Sequence, residues 1–162
     1  MRVAAGLLIL VICSAWGFRR SLLLKRRCTL LRELRLLVEQ YSIEISCTAP
    51  TLAELAGNSG GEFGRLLCEC SGSETDIRRA WSNAVDRLSA EPGCGGEEVS
   101  LLRELGRELG TCPVESQLAL LKLYSARFDK LISAAEKSAE QQGRMYRSGG
   151  VLAGLGAAVM LL

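Results

Sequence analysis

The fold of this chain is decided by two uncharged apolar stretches, VAAGLLILVICSAWGF at residues 3–18 and GGVLAGLGAAVMLL at residues 149–162. A helix needs roughly 20 apolar residues to cross the hydrocarbon core of a bilayer. The two stretches have only 16 and 14 residues, but flanking arginines can reach the headgroups and a bilayer can thin locally. We therefore predict two transmembrane helices that hold the polar middle of the chain on one side of a membrane. A buried core helix is the alternative for the second stretch.

A basic cluster follows the first apolar stretch directly. Its members are Arg19, Arg20, Lys25, Arg26 and Arg27. Lysine and arginine beside a membrane helix mark its cytoplasmic end, and they attract anionic lipids. The cluster therefore predicts an integral membrane protein, with the N-terminus outside, the bulk of the chain in the cytoplasm and these five side chains at the membrane surface. A cleaved signal peptide is the alternative, but its small-residue site at 13–15 is weak.

The polar middle of the chain shows helical periodicity and no alternating, strand-like pattern. Six helices are predicted. The first runs from the first apolar stretch to about residue 46 and is stopped by Pro50, the second is capped by Thr51, and the third covers 62–70. The fourth starts near Ser73, the fifth covers 97–109 with Gly110 as its C-cap, and the sixth, which is long, runs from Pro113 into the second apolar stretch. The predicted fold is all-α, an antiparallel helical bundle between an N-terminal and a C-terminal transmembrane helix. The predicted divisions are 1–24 for the N-terminal membrane segment with its basic flank, 25–146 for the cytoplasmic bundle and 147–162 for the C-terminal membrane segment.

Composition argues against several classes of function. The chain has no histidine, which removes the commonest general base and the Cys/His zinc sites. Its seven cysteines form no CxxC pair, and we interpret them as reduced, mostly packing thiols. The glycine-rich stretch at 93–96 lacks the GK[ST] of a phosphate-binding loop. With a net charge of +2 and no basic face beyond the cluster, we predict no enzyme activity, cofactor, metal, nucleic acid or small-molecule substrate.

Two kinds of surface remain as candidate interaction sites. Small residues in the last apolar stretch form a GxxxG stripe that would let membrane helices approach closely; they are Gly150, Ala153, Gly154 and Ala157. The polar helix faces are candidate docking surfaces, marked by Arg32, Arg35, Glu39, Arg79 and Arg87. Trp81 lies among apolar residues at helical spacing, so we predict that it belongs to the core.

Four motifs follow one another along the chain: Pro50-Thr51-Leu52, the W-x-x-A element at 81–84, the LG-x-x-LG element at 105–110 with Gln117 seven residues later, and the YRS-x-GVL segment that begins at Tyr146. Their order, together with that of the predicted helices, resembles the stage III sporulation protein AB family from end to end. The chain departs from the pattern at Pro113, where the family usually has aspartate. The cap of the last helix must therefore be made differently here.

The resemblance implies a role in sporulation. Members of the family sit in the mother-cell membrane around the forespore, as part of a secretion-like channel complex. Their cytoplasmic domain is similar to the helical F-type platform domain of type II secretion and type IV pilus machines. The implied partners are other membrane subunits and a cytoplasmic secretion-type ATPase. Three alternatives stay open: a platform subunit of a machine outside sporulation, a secreted helical protein with a cleaved signal, and a cysteine-based metal or redox sensor.

Overall fold

The computed structural model describes residues 2–48, 50–72, 74 and 76–161, and it leaves the side chains of 2–14, 16, 17, 52 and 143–161 undescribed. Six helices follow one another: α1 Arg2–Thr48, α2 Leu52–Gly57, α3 Gly61–Ser71, α4 Ile77–Ser89, α5 Gly96–Glu108 and α6 Val114–Leu161. No strand occurs among the described residues. The all-α class is confirmed and is consistent with a helical bundle.

The first and last helices are each much longer than the four between them. α1 has 47 residues and α6 has 48. No proline interrupts either helix, and α6 continues through Gly143 and Gly149 without a break. The prediction that each apolar stretch joins the polar part of the chain in one continuous helix is confirmed. α1 ends at Thr48, two residues before Pro50, because a residue that precedes proline avoids the helical conformation.

The helices α2 and α4 begin where a side chain accepts a hydrogen bond from a terminal amide. Thr51 and Glu54 form a capping box at α2, with the Thr51 amide donating to Glu54 over 2.8 Å. The predicted helix start near Ser73 is wrong. α4 begins at Ile77, and the Asp76 carboxylate accepts from the Arg78 amide at 3.0 Å, so Asp76 is the cap directly before the apolar run. Ser73 lies outside the described residues.

The connection between α5 and α6 follows the prediction to within one residue. Gly110 has φ +76°, the left-handed conformation that commonly ends a helix. Pro113 precedes α6 instead of being its first residue, and its carbonyl accepts the Gln117 amide at 3.0 Å. The Gln117 side chain donates to the Cys112 carbonyl at 2.7 Å. This bond ties the loop to the first turn of α6, at the position where the family usually has a capping aspartate.

The chain divides into two compact units, one formed by Met1–Arg26 with Ala134–Leu162 and the other by Arg27–Ser133. The second unit contains the core of the polar region. Its largest fully buried side chains come from five helices or their ends: Leu31, Leu34, Tyr41, Phe63, Leu67, Leu88, Leu102, Leu105, Leu109, Leu121, Tyr124 and Phe128. In the part of the chain that the structure describes, no helix combines the length and the apolarity needed to cross a membrane.

Candidate docking surfaces

Trp81 fastens α4 to α5, and its position in the core is confirmed. The side chain is only 4% exposed, and its indole nitrogen donates to the Leu102 carbonyl at 2.8 Å. The ring lies against Gly106, where a Cβ atom would come well under 3.0 Å from the indole nitrogen. Phe63 also contacts the Trp81 ring, edge to face, with ring centroids 5.0 Å apart. The W-x-x-A and LG-x-x-LG motifs are separate in the sequence, but they meet in the fold through Trp81 and Gly106.

A partly buried ion pair joins α1 to the start of α5. The Arg27 guanidinium donates twice to the carboxylate of Glu98, from Nε at 2.9 Å and from Nη2 at 3.0 Å. Glu98 is 0% exposed and also accepts the Gly95 amide at 2.7 Å. The hydrogen bonds to Glu98 raise the pKa of Arg27 above its ordinary value. A bidentate pair with an additional amide donor is the arrangement in which burying a charge is tolerated.

Arg27 was predicted to lie at a membrane surface with the rest of the basic cluster, and its observed partner is Glu98 within the second unit. Lys25 and Arg26 also have interactions within the chain. Arg19 and Arg20 are exposed. The lipid-binding role of the cluster stays a prediction.

The predicted docking cations are largely engaged with acidic side chains of the same chain. Arg35 donates to Asp129 of α6 at 2.6 Å and to Glu39 at 3.1 Å. Arg87 lies 3.6 Å from Glu69, and Arg79 lies 4.0 Å from Asp76. These are exposed pairs, which contribute little to stability and exchange readily for other partners. Arg32 is exposed and also interacts within the chain.

One face of α1 exposes large apolar side chains beside these charges. Leu36 is 59% exposed and Ile43 is 60% exposed, and their seven-residue spacing puts them on the same face two turns apart. Arg32 and Glu39 are exposed on this face as well. We call Arg32, Leu36, Glu39 and Ile43 the α1 stripe. Beside Ile43 a groove of about 380 Å³ opens between α1 and α6, with Leu118 in its lining.

The cysteines differ in their exposure and chemistry. Cys28 and Cys70 are buried, whereas Cys47, Cys68 and Cys112 are exposed. Burial raises the pKa of the Cys94 thiol to about 11, the charge of Glu98 adds to the rise, and Arg27 opposes it. In the described residues, no group of three or more acidic, cysteine or histidine side chains could hold a metal ion.

The remaining predicted site lies beyond what the structure describes. The structure does not describe the surroundings of the small-residue stripe formed by Gly150, Ala153, Gly154 and Ala157. The role of this stripe in membrane-helix association therefore stays a prediction. Conversely, sequence reasoning missed Glu98 and Gly106. Glu98 is the third residue of α5, where an acidic side chain can reach back to the amide that precedes the helix, but nothing local to the sequence points to Arg27 as its partner.

A family described as stage III sporulation protein AB matches residues 2–162. The match covers essentially the whole chain and confirms the resemblance inferred from the motifs. No curated protein and no solved structure shows a significant match.

Proposed function

The chain belongs to the stage III sporulation protein AB family, and from this premise we propose that it is a membrane-anchored platform subunit of a secretion-like channel complex. The family supports a role in sporulation. In the proposed role, the two terminal helices anchor the chain in the membrane around the forespore, and the helical unit docks a cytoplasmic ATPase to the membrane assembly. Other membrane subunits of the channel are its further partners.

The observation that carries this proposal is the continuity of α1 and α6. Each is a single unbroken helix that contains an apolar terminal stretch and a polar part. Each apolar stretch is thus joined to the polar region without an intervening loop. This arrangement suits a subunit that is tethered to a membrane and docks partners through its polar region.

Further support comes from what the second unit offers. Its interior is fastened by Trp81 against Gly106 and by the Arg27–Glu98 pair, which favours a rigid body over a moving one. Its surface carries the α1 stripe, where exposed leucine and isoleucine lie beside charged side chains. Apolar side chains rimmed by polar ones are typical of protein-binding surfaces.

Membrane sidedness tests the proposal, and α3 offers matched reporters. Cys68 is exposed and Cys70 is 2% exposed, two positions apart on the same helix. Two variants of the full chain are made, one retaining only Cys68 and the other only Cys70. Both are produced in non-sporulating cells, whose plasma membrane faces the medium, and treated there with a membrane-impermeant maleimide. We expect no labelling in intact cells, labelling of Cys68 alone after permeabilisation, and labelling of Cys70 only after denaturation.

The Cys70 variant reports whether the unit stays folded during the experiment. Labelling of Cys68 in intact cells would put the helical unit outside the cytoplasm. It could then not meet a cytoplasmic ATPase, and the platform role would have to be abandoned. The intact mass of the same protein tests the alternative of a secreted helical protein, because cleavage of a signal peptide would remove the residues up to about position 15.

A further inference from the structure

A second groove, lined by α5 and α6, carries more positive than negative side chains. Its volume is about 620 Å³. Its lining includes four cationic side chains, Arg103, Arg107, Arg127 and Lys130, and two acidic ones, Glu97 and Glu104. We call this the basic groove. All of its residues belong to the second unit, so its shape is set within one compact body.

Two of the four cations already have partners. Arg103 donates to Asp86 of α4 at 2.7 Å. Arg127 donates to Glu104 at 2.9 Å and lies over the Tyr124 ring, 5.3 Å from its centroid. Glu97 lies 3.5 Å from Arg27. Both acidic side chains of the lining are therefore occupied by cations other than Arg107 and Lys130.

Arg107 and Lys130 have no hydrogen-bond or ion-pair partner among the residues that the structure describes. Both are exposed, one on each wall of the groove. The lining also includes Leu101 of α5 and Leu131 of α6, each partly buried. It therefore offers one unpaired positive charge and one leucine on each of its two helices.

From this complementarity we propose that the basic groove binds an acidic, amphipathic helical segment of a partner protein. The carboxylates of that segment pair with Arg107 and Lys130, and its apolar face lies on Leu101 and Leu131. The α5 lining runs from Glu97 to Arg107, about 15 Å at 1.5 Å per residue, which matches about three turns of a bound helix.

This inference rests on the proposed platform role and names one of its docking surfaces. The sidedness experiment tests the role, and the binding experiment below tests the groove alone. A failure of the groove therefore leaves the platform role standing with another surface, whereas a failure of sidedness does not alter the measured binding.

The test uses the full chain purified in a neutral detergent and a short fluorescent helical peptide with glutamate on one face and leucine on the other. Binding is followed by fluorescence anisotropy, with a control peptide in which glutamine replaces each glutamate. The charge-reversal variant is Arg107→Glu with Lys130→Glu. The matched control is Arg78→Glu with Lys137→Glu, which makes the same change in net charge at exposed positions outside the lining.

We expect the glutamate peptide to bind the unmodified chain and the glutamine peptide to bind much more weakly. Charge reversal should weaken binding at least about tenfold, and the matched control should stay within about twofold. Arg107→Gln with Lys130→Gln should give an intermediate loss, and burial of Cys70 checks that each variant is folded.

Equal weakening by the groove variant and the matched control would show a general charge effect and overturn the proposal. Displacement of the peptide by phosphatidylglycerol added to the micelles would also overturn it, since the groove would then bind lipid headgroups. An absence of glutamate-peptide binding to the unmodified chain would overturn it as well.

Discussion

Gly106 is the residue whose lack of a side chain lets α4 and α5 close together. The Trp81 ring occupies the space that a Cβ atom would need, and its indole N–H is held by the Leu102 carbonyl. Any larger residue must displace a ring that is wedged between Phe63 and the α5 backbone. The requirement for glycine here comes from a neighbour in space, because Gly106 has no positive φ.

Replacing Gly106 with alanine should therefore destabilise the unit by about 1–3 kcal/mol through overpacking. Gly96→Ala is the matched control on the same helix, because a Cβ there meets nothing within 4 Å. Thermal unfolding followed by circular dichroism measures both. An unfolding midpoint for Gly106→Ala equal to that of the control would contradict the contact.

Replacing Arg27 should destabilise the fold more than replacing its partner Glu98. Arg27→Met leaves a carboxylate that is 0% exposed without its cation, which costs about 3 kcal/mol. Glu98→Gln leaves Arg27 with 31% of its side chain in solvent and keeps an acceptor for the Gly95 amide, so it should cost less. Unfolding midpoints at neutral pH measure the order. Arg78→Met, on the surface of α4, is the control, and the reverse order would refute this account.

Cys94 should be a poor nucleophile at ordinary pH, since its pKa is raised to about 11 by burial and by Glu98. The thiolate is the reactive form, and a raised pKa removes it at pH 8. A variant that retains only Cys94 should react with iodoacetamide about a hundredfold more slowly at pH 8 than an ordinary exposed thiol. Its rate should rise as the pH approaches 11. A variant retaining only exposed Cys112 is the comparison, and equal rates at pH 8 would disprove the shift.

At the scale of the helix, α1 presents different chemistry on its two sides. The buried side carries Leu31, Leu34, Val38 and Tyr41 into the core. The opposite side is the α1 stripe, where Leu36 and Ile43 are 59% and 60% exposed. Burial raises the pKa of Tyr41 to about 12, and its hydroxyl is hydrogen-bonded to Ser59, which ties the helix to the loop after α2. The inner side of α1 thus serves folding, and the outer side is available to a partner.

The α1 stripe can be tested without disturbing the core. The double variant Leu36→Gln with Ile43→Gln removes exposed apolar surface. The midpoint of thermal unfolding should therefore change little, whereas affinity for the docked partner should weaken about tenfold. The readout is the number of heat-resistant spores in a spore-forming host whose own family member has been deleted. Leu123→Gln, at a leucine that is 49% exposed on α6, is the matched control. Spore counts that match the control would remove the stripe from the docking surfaces.

At the scale of the whole molecule, the proposed anchors lie at opposite ends of the sequence. In the proposed role, two short apolar stretches share the task that one longer apolar helix usually performs. Either stretch alone falls below the length that a bilayer core requires, so the two together should hold the chain more firmly than either does.

Deletion of residues 3–18 or of 150–162 should therefore weaken membrane retention, and deletion of both should abolish it. Extraction of membranes with alkaline carbonate, followed by immunoblotting of pellet and supernatant, measures the retained fraction. The unmodified chain is expected in the pellet. Release of the unmodified chain into the supernatant would contradict integral anchoring, and full retention of the double deletion would place the anchor elsewhere.

Local sequence signals were sufficient for the elements and for the family. Helical spacing, Pro50, the Thr51 cap and Gly110 act within a few residues, so they predicted the helices and most of their ends. The error at Ser73 arose because two capping residues lie close together, and only the folded chain shows that α4 starts after Asp76. The motifs likewise identified the family, since their order along the chain is itself a sequence property.

What the sequence by itself determined is an all-helical chain with apolar ends, because periodicity and hydropathy are properties of neighbouring residues. Only the tertiary structure decided which residues meet. Glu98 pairs with Arg27 across 71 positions, and Trp81 bonds to Leu102 across 21. The unpaired charges of the basic groove also emerge only when α5 and α6 come together. Such contacts depend on how helices pack in space, and the spacing of residues along one helix does not indicate which helix packs against it.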